Sequence, residues 1–161
     1  QMAEGLQYVH EQGFIHRDVC PRNFIYDPRS HTAKMIDFGL TLPSSGPYKR
    51  PGNRTGTPLY MSPEVVRRRS TDHRLDIFAF GVSAYQVCTY ELPWPVSETT
   101  GRAALAHDTD TPIDIRKYRS TLNRDLAEAI MKCLEPDRKN RPATMEQFLK
   151  VIENVTQDDE D

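Results

Sequence analysis

Cysteine is scarce in this chain and nowhere closely paired. Only three cysteines occur in 161 residues, namely Cys20, Cys88 and Cys133. They are far apart in the sequence and none belongs to a C-x-x-C motif, so the pattern predicts neither a disulfide framework nor a zinc site. Such a chain is typical of a reducing compartment, and we expect a cytoplasmic location.

Excess charge and long apolar runs are also missing. The formal net charge is −2, which argues against a general polyanion-binding surface, and we expect no nucleic-acid partner. The most apolar stretch, residues 75–87, is interrupted by Asp76, Ser83 and Gln86. It falls short of the about 20 residues that span a bilayer, so we interpret it as a buried helix and expect no membrane contact. The chain opens at Gln1 without an initiator Met, so the lack of a signal peptide means little.

Two short runs with strand propensity lie on either side of a Pro-containing turn signal. They cover residues 24–26 and 33–36 and predict an antiparallel hairpin. Asn23 enters the first strand and Asp37 leaves the second, so both side chains should lie at one end of the hairpin, with Asp18 close by. Carboxylate and amide oxygens suit Mg²⁺, which shares its remaining coordination with substrate phosphates and water.

Five motifs, taken in order, carry a resemblance to a known family. They are HRDVCPRN at 16–23, DFG at 37–39, GTPLYMSPE at 56–64, DIFAFG at 76–81 and NRP at 140–142. Together they resemble the motifs of eukaryotic-type protein kinases of the serine/threonine type. The resemblance implies a mainly α fold: the C-terminal lobe of a kinase, with a long central helix and a small β-hairpin that carries the catalytic and magnesium loops. The implied activity is transfer of the ATP γ-phosphate, with Mg²⁺, to Ser or Thr hydroxyls of protein substrates.

The same resemblance implies roles for residues of the catalytic loop. Asp18 would accept or orient the substrate hydroxyl, and Asn23 and Asp37 would bind Mg²⁺ and, through it, the nucleotide. Standing alone, Asp18 would be interpreted as a loop-capping residue. The presence of Asn23 and Asp37 favours the catalytic interpretation instead. By resemblance, the Thr57 hydroxyl would bond to Asp18, as in serine/threonine kinases.

Other residues of these motifs have structural or regulatory roles in the family. They are His16, Arg17, Phe38, Gly39, Glu64, Asp76 and Arg141. His16 is interpreted as a scaffold histidine, and Arg17 would pair with a phosphorylated activation loop. Glu64 and Arg141 would form a buried ion pair, and Asp76 would accept hydrogen bonds from amides of the HRD loop.

The catalytic loop departs from the family pattern at Cys20. Serine/threonine kinases usually carry Lys at this position, two residues after the catalytic Asp. A thiol has a pKa of about 8.5, so it is mostly neutral at physiological pH and cannot supply the positive charge. Tyrosine kinases place Arg four residues after the Asp, where this chain has Arg22. We hypothesise that Arg22 takes over part of the phosphate contact; the alternatives are a surface charge or a catalytically impaired loop.

The remaining elements are predicted from periodicity and caps. Helices are expected from Met2 up to a cap at Gly13, at 73–90, and at 125–134 with Asn123 as the capping residue near its start. A last helix is expected from a capping box at Thr144 to about Val155, and a weak short helix at 100–106. Residues 1–155 would form the kinase lobe and residues 156–161 a disordered acidic tail.

Residues 41–55 lack periodicity and are predicted to form a mobile loop. They correspond to the activation segment. Its possible phosphoacceptors are Ser44, Ser45, Tyr48 and Thr55. Position 53, where many relatives carry the acceptor, is Asn53, which weakens the usual switch.

Two kinase motifs are absent from the sequence. It contains no G-x-G-x-x-G loop and no strand with a VAIK-like Lys, since Lys34 lies in the strand that feeds Asp37. We therefore expect the catalytic lobe of a longer kinase, inactive or nearly so in isolation because the lobe that grips the nucleotide is not in this chain. A pseudokinase or protein-interaction scaffold with impaired catalysis is the alternative, motivated by Cys20. A small-molecule phosphotransferase is disfavoured by the SPE segment and its partner Arg141.

Overall fold

The computed structural model describes residues 1–46, 55–95 and 103–156. Its α-helices are α1 (Met2–Glu11), α2 (Pro63–Val66), α3 (Arg74–Thr89), α4 (Arg124–Cys133) and α5 (Met145–Val151). Its strands are β1 (Phe14–Ile15), β2 (Phe24–Asp27), β3 (Thr32–Met35) and β4 (Leu42–Pro43). Short 3₁₀ helices span Pro21–Asn23, Pro58–Tyr60, Ala103–Asp108 and Ile115–Lys117. The helix-rich architecture with small antiparallel pairs agrees with the prediction.

The first helix packs one face inward, as its apolar spacing predicts. Ala3, Leu6 and Val9 are buried on that face. The chain then turns at Gly13, whose φ of +80° lies in the left-handed region that glycine adopts without strain. The turn is followed directly by β1 and then by the loop that begins at His16.

The predicted hairpin forms from β2 and β3. The two strands are antiparallel, with Phe24 opposite Met35 and Asp27 opposite Thr32. Asp27 stabilises the turn, because its carboxylate accepts hydrogen bonds from the Arg29 amide at 2.9 Å and the Ser30 hydroxyl at 2.8 Å. Those bonds, led by the Arg29 amide, lower the pKa of Asp27. The hairpin therefore owes its register to local turn chemistry.

A second strand pair was not predicted. β4 lies inside the segment expected to be a loop, and it pairs antiparallel with β1, placing Ile15 opposite Leu42. The amide of Ser44 also donates to the carbonyl of Gly13 at 2.8 Å. A strand of two residues has no periodicity to detect, so the prediction of a loop across 41–55 is wrong at its start. The pairing ties the entry of the activation segment to the strand before the catalytic loop.

The central helix α3 is buried on nearly all sides, which explains its continuous apolar sequence. Ile77, Phe78, Val82 and Tyr85 are fully buried. Its polar side chains have partners, as buried hydroxyls require; the Tyr85 hydroxyl, for example, donates to the Ile113 carbonyl at 3.0 Å. The observed bounds fall within one residue of the predicted helix at 73–90.

Two caps predicted from sequence are present, but the last helix is shorter than expected. Asn123 accepts hydrogen bonds from two amides in the first turn of α4. Thr144 accepts from the Gln147 amide at 3.3 Å, and the Gln147 side chain accepts from the Ala143 amide at 2.8 Å. The α-helix ends at Val151 rather than near Val155 and continues as turns.

Some sequence predictions concern residues that the structure does not describe. Tyr48, Asn53, residues 100–102 and tail residues 157–161 lie outside the described ranges. The weak helix predicted at 100–106 corresponds in its described part to the 3₁₀ helix Ala103–Asp108. Among the described residues, no helix is both long enough and apolar enough to cross a membrane.

Gly81 offers a sharp test of packing between α3 and α4. A Cβ built on Gly81 would lie 2.6 Å from the Cβ of Cys133 and 3.1 Å from the Leu134 side chain. We expect Gly81→Ala to lower the free energy of unfolding by about 1–3 kcal/mol, despite the better helix propensity of Ala. Urea unfolding measures the change.

Gly5→Ala is the matched control, because Gly5 is also helical and nothing lies within 4 Å of its added Cβ. There the substitution should raise stability by about 0.4–1 kcal/mol. Equal effects at the two glycines would contradict close packing at Gly81.

Candidate active site

The catalytic loop is held by a buried carboxylate at the start of the central helix. Asp76 is fully buried. One of its oxygens accepts from the Arg17 amide at 2.8 Å, and the other accepts from the His16 amide at 2.8 Å and from Nε2 of His10 at 2.9 Å. A buried charge needs such bonds to offset its lost hydration. They hold Arg17 at a φ of +72°, a conformation that is unusual for a residue with a side chain.

Among the described residues, the His16 ring forms hydrogen bonds only with backbone groups. Its Nδ1 accepts from the Asp18 amide at 3.2 Å, so Nε2 carries the proton that is donated to the Ile36 carbonyl at 3.3 Å. The His16 ring also meets the Phe38 ring edge to face, with centroids 5.1 Å apart. The imidazole thus joins the catalytic loop to the end of the hairpin.

The Asp18 carboxylate is the centre of a compact polar network. Its Oδ1 accepts from the amide of Thr57 at 3.1 Å and from the Thr57 hydroxyl at 2.9 Å. Nδ2 of Asn23 donates to the Asp18 carbonyl at 2.7 Å and to Oδ2 at 3.2 Å. The side chain is 11% exposed. The carboxylate is therefore oriented from two directions while its outer edge still reaches solvent.

Gly56 allows Thr57 to approach Asp18 this closely. Its φ is +104°, and a Cβ at this position would lie 2.7 Å from the Arg17 carbonyl oxygen. Backbone cannot yield as a flexible side chain does, so a larger residue would displace the segment. A glycine is thus required at position 56, because the backbone there touches the loop that contains Arg17 and Asp18.

Arg22 lies against the same network from the solvent side. Its Nη2 donates to the Thr57 hydroxyl at 2.6 Å and is 3.7 Å from Oδ2 of Asp18. Its side chain is 68% exposed, so most of the guanidinium faces outward. Cys20, in contrast, is buried, and burial together with the nearby Asp18 charge raises the pKa of its thiol. The positive charge beside Asp18 therefore comes from Arg22, and Cys20 is a neutral packing residue.

Asp37 leaves the hairpin next to Asn23. The amide of Ile36 donates to the Asn23 carbonyl at 2.8 Å, which places the DFG segment beside the 3₁₀ helix that carries Asn23. Asp37 is exposed at a φ of +61°, and its Oδ1 accepts from the Gly39 amide at 3.2 Å. Within the described parts of the chain, no hydrogen bond joins Asp37 to Asp18 or Asn23.

Asn23 and Asp37 each keep one side-chain oxygen of the kind that binds a hard cation. Oδ1 of Asn23 and Oδ2 of Asp37 have no hydrogen-bond partner among the described residues. The side-chain nitrogen of Asn23, in contrast, donates to Asp18. One amide oxygen and one carboxylate are the kind of donors that Mg²⁺ takes when substrate phosphates and water complete its shell.

Arg17 reaches the activation segment. Its Nη2 donates to the hydroxyl of Thr55. Thr55 was one of several possible acceptors named from the sequence, and no sequence signal distinguished it. The fold places its oxygen at the guanidinium of the HRD motif.

The ion pair between Glu64 and Arg141 ties the end of the activation segment to the C-terminal part of the chain. The pair is bidentate, at 2.7 and 2.8 Å, and both residues are buried. Arg141 also donates to carbonyls of Glu135, Arg74 and Pro136. A buried pair with this many extra bonds fixes geometry, because the guanidinium has one arrangement that satisfies all of its donors.

Sequence reasoning missed His10. Its ring bonds to Asp76 and packs against His73, with ring centroids 5.2 Å apart. The signal was available, because His10 follows Ala3 and Leu6 at intervals of three and four residues on the buried face of α1. A polar residue on such a face requires a buried partner.

A loop carboxylate lies beside a hairpin that presents amide and carboxylate oxygens, as the resemblance of the five sequence motifs implies. The chain belongs to the protein kinase family: the family described as "Protein kinase domain" matches residues 1–151.

The chain is similar to named kinases of bacteria, plants and fungi. It is 33% identical to serine/threonine-protein kinase pkn3 of Myxococcus xanthus, over 96% of this chain and 30% of that protein. It is 32% identical to mitogen-activated protein kinase kinase kinase 1 of Arabidopsis thaliana, over 91% of this chain and 23% of that protein. It is 33% identical to an Aurora kinase of Saccharomyces cerevisiae, over 88% of this chain and 36% of that protein. The chain thus spans about a quarter to a third of the length of these relatives.

Removing the Glu64 charge tests the buried ion pair. Glu64→Gln leaves the Arg141 guanidinium buried without its counter-charge, so the free energy of unfolding should fall by about 3 kcal/mol or more. Urea denaturation provides the measurement.

The control is Glu128→Gln, which removes the same charge from an exposed pair with Arg124 whose side chains are 75% and 64% exposed. Its cost should stay below about 0.5 kcal/mol. A similar loss in both variants would show that burial of the Glu64 pair contributes nothing.

Proposed function

We propose that this chain is the catalytic lobe of a serine/threonine protein kinase that transfers the ATP γ-phosphate to protein hydroxyls. The observation that carries the proposal is the Asp18 carboxylate, oriented by Thr57 and Asn23 and open to solvent at its outer edge. The Thr57 contact supports a Ser/Thr rather than Tyr substrate, because it comes from the GTPLYMSPE segment that resembles serine/threonine kinases.

In this mechanism Asp18 orients the substrate hydroxyl and receives its proton as the oxygen attacks the γ-phosphorus. The bond between the γ-phosphorus and the β,γ-bridging oxygen breaks, and ADP leaves. Oδ2 is the more available oxygen, because it accepts one long hydrogen bond from Asn23 whereas Oδ1 accepts two from Thr57. Asn23 and Asp37 would hold Mg²⁺, which would offset charge on the ATP phosphates. The exposed face of Arg22 would meet the transferred phosphate, in place of the lysine that Cys20 replaces.

We infer that residues 1–155 form this lobe and that the chain by itself transfers phosphate slowly or not at all. Its sequence holds no Gly-rich phosphate loop and no VAIK-like Lys strand, and these position the nucleotide in the family. Ile25 and Phe38 follow closely on Asn23 and Asp37 in the chain, and their apolar side chains are 56% and 51% exposed. Exposed apolar side chains here are consistent with a surface that a nucleotide-binding lobe covers in the longer kinase.

A protein-interaction scaffold with impaired catalysis is the second candidate, and Cys20 is the observation that favours it. A neutral buried thiol supplies no charge to a phosphate. Arg22 weighs against this alternative, because its guanidinium already lies 3.7 Å from the Asp18 carboxylate.

Asp37→Asn in the full-length protein distinguishes the two candidates. With Mg²⁺, labelled ATP and a generic protein substrate, we expect the wild type to transfer phosphate and the variant to lose about 100-fold or more in kcat, because a carboxylate ligand is replaced by a neutral amide.

The matched control is Asp27→Asn, at an exposed carboxylate on the same hairpin. It should retain wild-type activity. A wild-type protein without transfer activity, or one whose activity survives Asp37→Asn, would reject the catalytic proposal.

Arg22→Ala tests whether the guanidinium replaces the missing lysine. We expect kcat to fall by about 100-fold, because a charge that faces the transition state is removed, while Arg22→Lys should recover part of the rate. Single-turnover phosphate transfer separates this effect from substrate binding.

Two controls accompany this variant. Cys20→Ala removes the thiol at the position where the family usually carries lysine. Arg29→Ala removes an exposed arginine of the hairpin turn. Each substitution should change kcat by less than about threefold. If Arg22→Ala and Cys20→Ala have equal effects, Arg22 does not carry the phosphate contact.

A further inference from the structure

A cleft outside the catalytic site lies between α2 and the loop after α4. It encloses about 550 Å³, and none of its lining residues belongs to the catalytic loop or the hairpin. Pro63 and Pro136 provide apolar walls, and Glu64 of the buried ion pair forms part of the lining. A water molecule takes up roughly 30 Å³, so the cleft has room for a chain segment as well as for a small ion.

The carboxylates that line this cleft already have donors. Glu64 is held by Arg141 at 2.7 and 2.8 Å, and Asp108 is held by Arg67 at 2.9 and 2.8 Å. The hydrogen bonds and charge of Arg67 lower the pKa of Asp108. Asp137 accepts from the Lys139 amide at 2.9 Å. Glu64 and Asp108 are therefore neutralised by arginines of the protein, whereas the bond to Asp137 comes from a neutral backbone amide.

The lining cations, in contrast, have charge to spare. Arg69 and Lys139 are exposed, and their side chains form no hydrogen bond or ion pair with the described parts of the chain. Arg138 is positioned by the wall itself, since its Nη1 donates to the Ser70 carbonyl at 2.7 Å.

Arg138 forms a long ion pair within the described chain, and its side chain is 29% exposed. Its nearest carboxylate is Asp72 at 3.6 Å, and that carboxylate already binds Arg74 at 2.8 Å. Burial would raise the pKa of Asp72, but the hydrogen bonds from Arg74 and the charges of Arg74 and Arg138 outweigh it and lower the pKa to about 2. When the arginines that bind Glu64 and Asp108 are counted, five cations face three carboxylates at the cleft, so it is locally positive in a chain whose formal net charge is −2.

We propose that this cleft is a docking site for an acidic peptide segment of a protein partner. Guanidinium and ammonium groups on one rim pair with carboxylates, and the proline walls accept the apolar parts of an extended chain. The cleft shares no lining residue with the proposed active site, so it would hold a partner independently of phosphate transfer.

The test is peptide binding to the full-length protein, measured by fluorescence anisotropy. The probe is a labelled peptide of about eight residues rich in Glu and Asp, and a Gln/Asn peptide of equal length is the neutral probe. We expect binding of the acidic probe only, weakening as salt is raised. In the double variant Arg69→Glu/Lys139→Glu the Kd should rise by about tenfold or more, because both unpaired cations become repulsive.

The matched control is Arg29→Glu/Lys117→Glu, which makes the same change in net charge at exposed positions outside the cleft. It should leave the Kd within about twofold of wild type. Thermal unfolding of both variants verifies that each is folded.

Several results would overturn the proposal. One is equal weakening of binding in the two double variants, and another is equal binding of the neutral peptide. A third is full displacement of the acidic peptide by inorganic phosphate at constant ionic strength. The fourth is tighter binding of a single-stranded oligonucleotide than of the acidic peptide. Because the readout is binding, failure of the proposed kinase activity leaves this test intact, and the reverse also holds.

Discussion

The hydrogen bonds from the catalytic loop to the carboxylate of Asp76 are the constraint on which the site depends. A fully buried carboxylate is costly unless its oxygens are satisfied, and here two consecutive backbone amides and a histidine satisfy them. The same contacts hold Arg17 in a left-handed conformation and thereby set the direction of Asp18, the next residue. The start of the central helix thus fixes the position of the Asp18 carboxylate through two short hydrogen bonds from backbone amides.

Around Asp18, charge is arranged differently from what the motif alone implies. The position two residues later carries a buried thiol, while Arg22 contacts Thr57 and lies near Asp18 from the solvent side. Thr57 in turn precedes Glu64, whose pairing with Arg141 anchors the end of the segment. That ion pair also lies at the cleft proposed to hold an acidic peptide, so one buried contact supports the architecture of both surfaces.

Features with a local cause could be predicted from the sequence. The hairpin follows from two strand-forming runs around a turn signal, and the central helix follows from a long apolar run bounded by polar residues. The amide capping of α4 by Asn123 has the same local origin. Features with a non-local cause could not be predicted. β4 is two residues long and exists because β1 lies beside it, and α5 ends early where propensity alone would continue it.

By itself, the sequence determined which chemical groups are available: a loop carboxylate, an Asn and an Asp at one end of a hairpin, and an arginine two residues after the cysteine that replaces the usual lysine. Local propensity and motif order were enough for this, because each depends on residues close together in the chain. Only the tertiary structure decided which groups meet. It joined Asp18 to Thr57, Arg17 to Thr55, and His10 to Asp76 across 66 residues. These contacts depend on how buried faces pack, and packing is specified by the whole core rather than by any one motif.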